Sequence, residues 1–523
     1  MKTSAKLRLA GLSLALLTSC NSILGLELRT YVAPVEPSCS TSLECTPGTF
    51  CNDAQCTTVA PAVPKNLLCQ VLEPQGIKDF SVGNVDWTKP SQILGGLLRL
   101  NNESETARVD AMRLAVREIN ANQGVGPANS PLVFVGCDYG GTDGTAAGDE
   151  AKAAIELAIP YLANELGVRV MVAGAASSAT EAAISFVTTN KLSVALISSF
   201  STSTKLSDYD DKLPGGKFGL LWRTAPDDTE QARVLAQLAL STKGLTKLGI
   251  LYIDDAYGSP LNDGVSLALK GTALEAVVSV PFSESPTPEE FAAKVADLFS
   301  KMPAPNGLLF VGIDGAMVLE AYTALDKAGK STVALLPTLF LADAAKEGAI
   351  LFDKNQTPIV QDLIKRSLGT APFHKNDVVP YTTMAGKLKS DFGVTADDYS
   401  FVAQSYDAVF LAAYGLTWAS ANFAIFSGEN VAEGFTHVSA GTKINVGPNQ
   451  WAAAKTALHV PLTGTIDMEG TSGALQFDAN GQAPGPMEIW RVNEAYSAFE
   501  TCAVCEPTDA ACALDKCFPA SNP

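Results

Sequence analysis

The chain has 523 residues and a formal net charge of −18, with 55 acidic and 37 basic side chains and three histidines. That charge, carried without a basic cluster, opposes nucleic acid and anionic lipid over most of the surface, so no nucleic-acid partner is expected. Length leaves room for about three domains, or for two lobes with small appendages. Beyond the N-terminus no apolar stretch approaches the about 20 residues that a membrane-spanning helix needs.

Residues 1–20 hold Lys2, Lys6 and Arg8, an apolar run from Leu9 to Leu17, and then Thr18, Ser19 and Cys20. This is the layout of an export signal, with residues 1–19 expected to be removed. Leu17-Thr18-Ser19-Cys20 resembles a bacterial lipobox, which implies acylation of Cys20 and anchoring by several acyl chains where one would not hold. A plain secretory signal with an incidental cysteine is the alternative. From position 20 to about 65 the chain is rich in Pro, Ser and Thr and lacks a usable period; it reads as a lipid-anchored, Cys-rich tether.

Ten cysteines remain once Cys20 is set aside, and they cluster. Cys39, Cys45, Cys51 and Cys56 lie in the tether, Cys69 and Cys137 follow, and Cys502, Cys505, Cys512 and Cys517 close the chain. An exported chain meets an oxidising compartment, so disulfides are expected. Each group of four allows three pairings, and spacing does not choose among them. Cys502-x-x-Cys505 has the spacing of zinc ligands, but export favours oxidation and no second such pair accompanies it, so no metal is expected.

From about Asn66 to residue 500, short apolar runs alternate with amphipathic stretches, the pattern of βαβ units and parallel sheets. Val109, Met112, Ala115, Val116 and Ile119 mark a helix face, and Leu132–Gly136 reads as a buried strand. A helix is expected from about Ala146 to Leu166, strands at Val168–Ala173 and Ser193–Ile197, and a helix over Ala232–Leu240. Strands follow at Leu248–Ile253, Gly307–Val311 and Val333–Leu336. So many alternations exceed a single core, whose growth stops near about 250–300 residues, so two α/β lobes are expected.

The loops after two of these strands, Gly174–Thr180 and Ser198–Thr204, are rich in small hydroxyl residues. Ligands of open α/β sheets bind at strand carboxyl ends. A hydroxyl-rich loop entering a helix offers N–H and O–H donors to an anion such as a carboxylate, though the same residues also serve as helix caps.

Several ordered segments resemble the type I periplasmic binding proteins of the leucine/isoleucine/valine-binding family, the substrate-binding lipoproteins of ABC transporters. They are Ala107–Asn122, Gly174–Thr180, Ile197–Leu206, Trp222–Pro226, Asp254–Gly258, Ser405–Ala413 and Gly470–Gly481. The resemblance covers about residues 90 to 495 and implies a two-lobed fold. Each lobe would be a mostly parallel sheet flanked by helices, with small disulfide-rich appendages. It implies lobe one at 66–225 with 345–465, lobe two at 226–344 with 466–500, and a Cys-rich C-terminal segment at 501–523. It also implies that Ser177 and Thr202 hold a ligand carboxylate, that Phe200 sits at a position whose backbone carbonyl takes the ligand ammonium, and that Tyr257 closes over the ligand from lobe two. Asp314 lies in the loop of the family's acidic residue and is one methylene shorter than the glutamate found there. Phe200 replaces the small residue usual there, so the pocket is narrowed or the ligand stacked.

The resemblance thus implies a binding protein for an amino-acid-like solute, delivering it to an ABC permease, with a lipid-anchored sensor or surface interaction protein as the alternative. It would face the periplasm or exterior of a bacterial cell, with the outer membrane weakly preferred because Asn21, and not Asp, follows Cys20. No cofactor and no enzymatic chemistry are expected. His374, His437 and His459 are far apart and show no metal-ligand spacing, no nucleophile elbow or phosphate loop occurs, and Asp254 and Asp255 read as a strand-end turn.

Overall fold

The computed structural model describes residues 39–518 except 75–90, 142–145, 174–175, 208, 210, 213–217, 275–276 and 353–355. The export signal, Cys20 and the first part of the tether lie outside the described residues. Cys39–Pro523 forms one compact unit.

The first described element is a knot. Strands β1 (Phe50–Asn52) and β2 (Gln55–Thr57) form a hairpin in which Cys51 faces Cys56. Each bonds to a different upstream cysteine, Cys51 to Cys39 and Cys56 to Cys45. The knot does not hang free. Phe50 is fully buried in the core of the following lobe, Ser42 Oγ donates to the Glu165 carbonyl at 2.6 Å, and the Arg169 guanidinium donates to the Cys45 carbonyl at 2.8 Å. Part of what reads as tether is therefore a docked piece of lobe one.

Lobe one is built on β3 (Cys69–Glu73), β4 (Gln92–Leu98), β5 (Leu132–Asp138), β6 (Val170–Ala173), β7 (Ala195–Ser198) and β8 (Leu221–Arg223), in the order β3-β5-β4-β6-β7-β8. Strands β4 to β8 are parallel, and β4, β6 and β7 are buried along their whole length, as sheets covered by helices on both faces require. The edge strand β3 runs antiparallel, and its register sets Cys69 opposite Cys137, which are bonded. The long helix Val402–Asn422 is apolar nearly all round and accordingly buried, packed on the helix Glu103–Ala121. Gly415 lets it approach the helix Gly428–Phe435, since a Cβ there would stand 2.3 Å from the Phe435 ring.

Lobe two holds β9 (Leu248–Ile253), β10 (Val278–Phe282), β11 (Gly307–Val311), β12 (Thr338–Leu341) and β13 (Ser367–Pro372). A small sheet of β14 (Thr442–Asn445), β15 (Ile466–Gly470) and β16 (Gly473–Ala474) lies with lobe one. Strands β17 (Met487–Val492) and β18 (Phe499–Cys505) then complete lobe two, in the order β10-β9-β11-β12-β13-β17-β18. Two separate cores result: Phe50–Ala225 with Tyr381–Ala483, and Ala232–Ala371 with Met487–Cys517.

These cores move two boundaries. The chain stays in lobe two through β13, which pairs with β12 and β17, so the second crossing follows Pro372 and not residue 344. It stays in lobe one through Ala483, so the third crossing falls after 483 and not at 466. The C-terminal cysteines are no appendage. Cys502 and Cys505 lie in β18, the edge strand of lobe two, and bond to Cys517 and Cys512. That pairing takes both sulfurs of the C-x-x-C motif. Val333–Leu336, read as a strand, is a turn with Val333 and Leu335 exposed; the strand is β12, a few residues on.

Candidate functional site

Three chain crossings join the lobes, so the carboxyl ends of β6 and β7 face those of β9, β11 and β12. Between them lies a cavity of about 20 Å³ lined by Ala176, Ser177, Phe200, Thr202 and Phe401 from lobe one and by Tyr257, Ile313, Asp343 and Ala344 from lobe two. That is room for roughly one water. The lobes also touch around it. Ser203 Oγ donates to the Ala256 carbonyl at 2.5 Å, Ser400 donates from N to the Lys346 carbonyl and from Oγ to the Asp343 carbonyl at 2.8 Å, and Arg108 lies 3.5 Å from Glu347. The arrangement is that of a closed cleft.

The two hydroxyl-rich loops divide their labour. Thr180 donates to the Ala173 carbonyl and shares a hydrogen bond with Ser201, Ser198 accepts from the Ser201 N–H, and Ser199 bonds to Ser405. These hydroxyls hold the loops. Ser177, at the start of the helix Ser177–Thr189, and Thr202 line the cavity. Arg223 braces the second loop from beneath, donating to the Ser201 carbonyl at 3.0 Å and the Ser203 carbonyl at 2.8 Å. Burial pulls its guanidinium down to about 10.

Phe200 accounts for the small volume. Its ring lies 5.1 Å from that of Phe401, edge to face, and the Arg108 guanidinium sits 4.2 Å over it, a cation–π contact. Arg108 is held by Glu105 at 2.7 Å and donates to the Ser400 carbonyl.

Asp314 is not among the residues that line the cavity. It caps the helix Gly315–Lys327, its Oδ1 accepting from the Met317 N–H at 2.9 Å, and its neighbour Ile313 lines the cavity instead. The acidic group that lines the cavity is Asp343, and Asp228 is buried close enough behind it to feel its charge. Asp343 Oδ1 accepts from the Tyr257 hydroxyl and the Ala344 N–H, while its Oδ2 is buried without a partner. Asp228, in the first turn of the helix that follows the first crossing, is 1 % exposed, and neither of its carboxylate oxygens has a partner of good geometry. The Thr202 carbonyl accepts its backbone N–H at 2.7 Å. Burial pushes both carboxyls above the ordinary value, and the charge of Asp343 pushes Asp228 further. Burial, with Asp343 next in weight, also pushes the Tyr257 hydroxyl well up.

Buried oxygens without donors are costly. Asp343 Oδ2 and the two Asp228 oxygens, close to Tyr257 and Thr202, would be satisfied by a cation with several N–H donors. Asp228 was legible in the sequence only as one of the pair Asp227-Asp228 at a helix start, where carboxylates commonly cap. Asp227 is the one that caps, accepting from the Thr229 N–H at 3.0 Å.

A family model described as Periplasmic binding protein matches residues 100–494. Among solved structures, the leucine-binding protein LivK from Thermotoga maritima aligns with a TM-score of 0.59 at 16% identity, covering 80% of this chain and 99% of its own. LivJ from Streptococcus pneumoniae, a branched-chain amino acid transporter substrate-binding protein in complex with isoleucine, gives 0.55 at 17%, with 79% and 99% covered. A fatty acid ABC transporter substrate-binding protein from Thermomonospora curvata gives 0.55 at 15%, with 79% and 91% covered. At such identities the likeness is one of fold. No curated protein matches the sequence.

Proposed function

Since the chain belongs to the periplasmic binding protein family by a match over residues 100–494, we propose that it is an extracytoplasmic solute-binding protein that captures an α-amino acid in its inter-lobe cleft for an ABC permease. The family consists of binding proteins and not enzymes. Similar structures are described as a leucine-binding protein, a branched-chain amino acid binding protein in complex with isoleucine, and a fatty acid transporter's substrate-binding protein, so fold alone leaves the ligand open.

The observation that favours an amino acid is the set of buried carboxyl oxygens left without donors, Oδ2 of the cavity-lining Asp343 and both of the adjacent Asp228, together with the hydroxyls of Ser177 and Thr202. A ligand ammonium would satisfy the carboxylates and Tyr257, and a ligand carboxylate would accept from Ser177 and Thr202. Asp343 and Asp228 take the acidic role first assigned to Asp314. With Phe200 and Phe401 lining so small a cavity and Arg108 packed over Phe200, the ligand enters as the lobes part, and these aromatic side chains set the room left for its own side chain. Closure then follows from tighter binding to the closed form.

The test is a thermal-shift screen of the protein against the common amino acids. A ligand at about a hundredfold its dissociation constant adds roughly 2.7 kcal/mol to stability. The expected result is a shift with at least one amino acid, reduced by Ser177→Ala and by Thr202→Ala, each of which removes a hydrogen bond to a charged group worth about 1.5–3 kcal/mol. It should be abolished by Asp228→Asn. A ligand that binds with all three variants unaffected would overturn the site.

Lipid anchoring through Cys20 belongs to the same proposal. Expressed in a bacterium, the mature protein is expected to start at Cys20 with added acyl mass and to partition with membranes, and Cys20→Ser is expected to release it. A soluble, unacylated wild-type protein would sink the anchor while leaving the solute site untouched.

A further inference from the structure

One large cavity lies outside the cleft. It is a groove of about 640 Å³ that shares no lining residue with the central cavity. Its floor is the hinge itself: Thr224 and Pro226 of the first crossing, Pro372–Lys375 of the second, and Ala483–Pro486 of the third all line it. One wall is the β15–β16 hairpin of lobe one, and the other is Glu506–Thr508 of lobe two. A groove with a wall on each lobe and a hinge for its floor must change width when the lobes rotate. In the arrangement described, the cleft is shut while the groove stands open.

Its chemistry is mixed. Phe373, Leu475 and Pro226 offer apolar surface, and Lys375 is an exposed donor. Gln404 is 2 % exposed and lines the groove, and its Oε1 has no hydrogen-bond partner. Its backbone carbonyl is already engaged by the Thr224 hydroxyl at 2.9 Å, which ties it to the first crossing. A buried acceptor without a donor is costly, and the volume lies within the range of about 300–1,000 Å³ typical of small-molecule sites.

We propose that this hinge-face groove is a second ligand site, for a small molecule with an apolar body and an amide N–H that reaches Gln404, and that its occupation favours the closed cleft. Such coupling requires only that the molecule bind better to the arrangement in which the groove is wide. The site does not depend on the identity of the cleft ligand.

The experiment uses N-acetyl-leucinamide as the probe and calorimetry and small-angle scattering as readouts. Saturable binding is expected for the wild-type protein and for Asp228→Asn, which disables the cleft. Binding is expected to weaken at least tenfold in Gln404→Leu, and also in Ala474→Trp. Ala474 is exposed on the hairpin wall, so the added ring occupies the groove without disturbing a core. The radius of gyration is expected to fall with probe in the wild type and to stay constant in Ala474→Trp. Absence of wild-type binding, binding retained in both groove variants, or binding lost in Asp228→Asn would each overturn the site, and an unchanged radius in the probe-bound wild type would overturn the coupling.

Discussion

With both carboxylate oxygens buried and without a hydrogen bond of good geometry, Asp228 loses hydration that the Thr202 hydroxyl and the Arg223 charge offset only in part. Its carboxyl is raised above 3.8, chiefly by burial and then by Asp343. The sign follows: the folded state holds its proton more tightly than the unfolded state, so the stabilisation is complete below the unfolded value and is lost as pH rises through the folded one. Asp228→Asn removes that loss. The ligand-free variant is therefore expected to match the wild type in melting temperature near pH 4 and to exceed it increasingly toward pH 7, by roughly 1–3 kcal/mol. A constant difference across that range would show that the proton is not the cause. Ligand binding should run the other way in the wild type, tightening as pH rises, because an ammonium selects the ionised carboxylates. At this scale the sequence was partly readable. Ser177, Thr202, Phe200 and Tyr257 were found from ordered motifs and meet at one cavity. Asp314 was the acid that the family resemblance offered, and nothing local marked Asp343, because a capping aspartate and a buried one look alike in one dimension.

Among the elements, β13 shows what a central strand of a lobe must be. It is buried throughout, parallel to β12 on one side and antiparallel to β17 on the other. Gly369 sits opposite Trp490, whose ring would stand 2.1 Å from an added Cβ and whose indole N–H donates to the Thr370 carbonyl at 3.1 Å. Gly369→Ala is expected to lower stability by about 1–3 kcal/mol, the usual cost of overfilling a packed core, measured by urea unfolding. A variant as stable as the wild type would mean that the indole shifts freely. Helices and parallel strands were legible because their periods are local, and the helix Asp228–Ser241 and strands β5, β9 and β11 lie where the apolar pattern puts them. The strand expected at Val333–Leu336 failed for the same reason: a short apolar run satisfies the pattern, but a strand exists only where neighbours accept its hydrogen bonds.

As a whole the molecule is two cores joined three times, with a closed cleft on one set of loops and an open groove behind the hinge. If the lobes open to admit ligand, the ligand-free protein in solution samples a larger shape than the one described. An amino acid that binds is then expected to reduce the radius of gyration measured by scattering, and a ligand that binds with no change would show that the cleft does not work by closure. The sequence alone determined the fold class, because alternating apolar runs and amphipathic stretches can bury their surfaces only as helices on parallel sheets. It also determined the even complement of ten cysteines and the two hydroxyl-rich loops. Tertiary structure decided which cysteines pair, where the second and third crossings fall, and that the C-terminal segment is an edge strand of lobe two. It also decided that Asp343 lines the cleft with Asp228 buried beside it, and that three of their four carboxyl oxygens lack donors. The reason is common to all of these: partner, lobe and burial are relations between residues far apart in the chain, and a local pattern records what a segment can do but not what it is placed against.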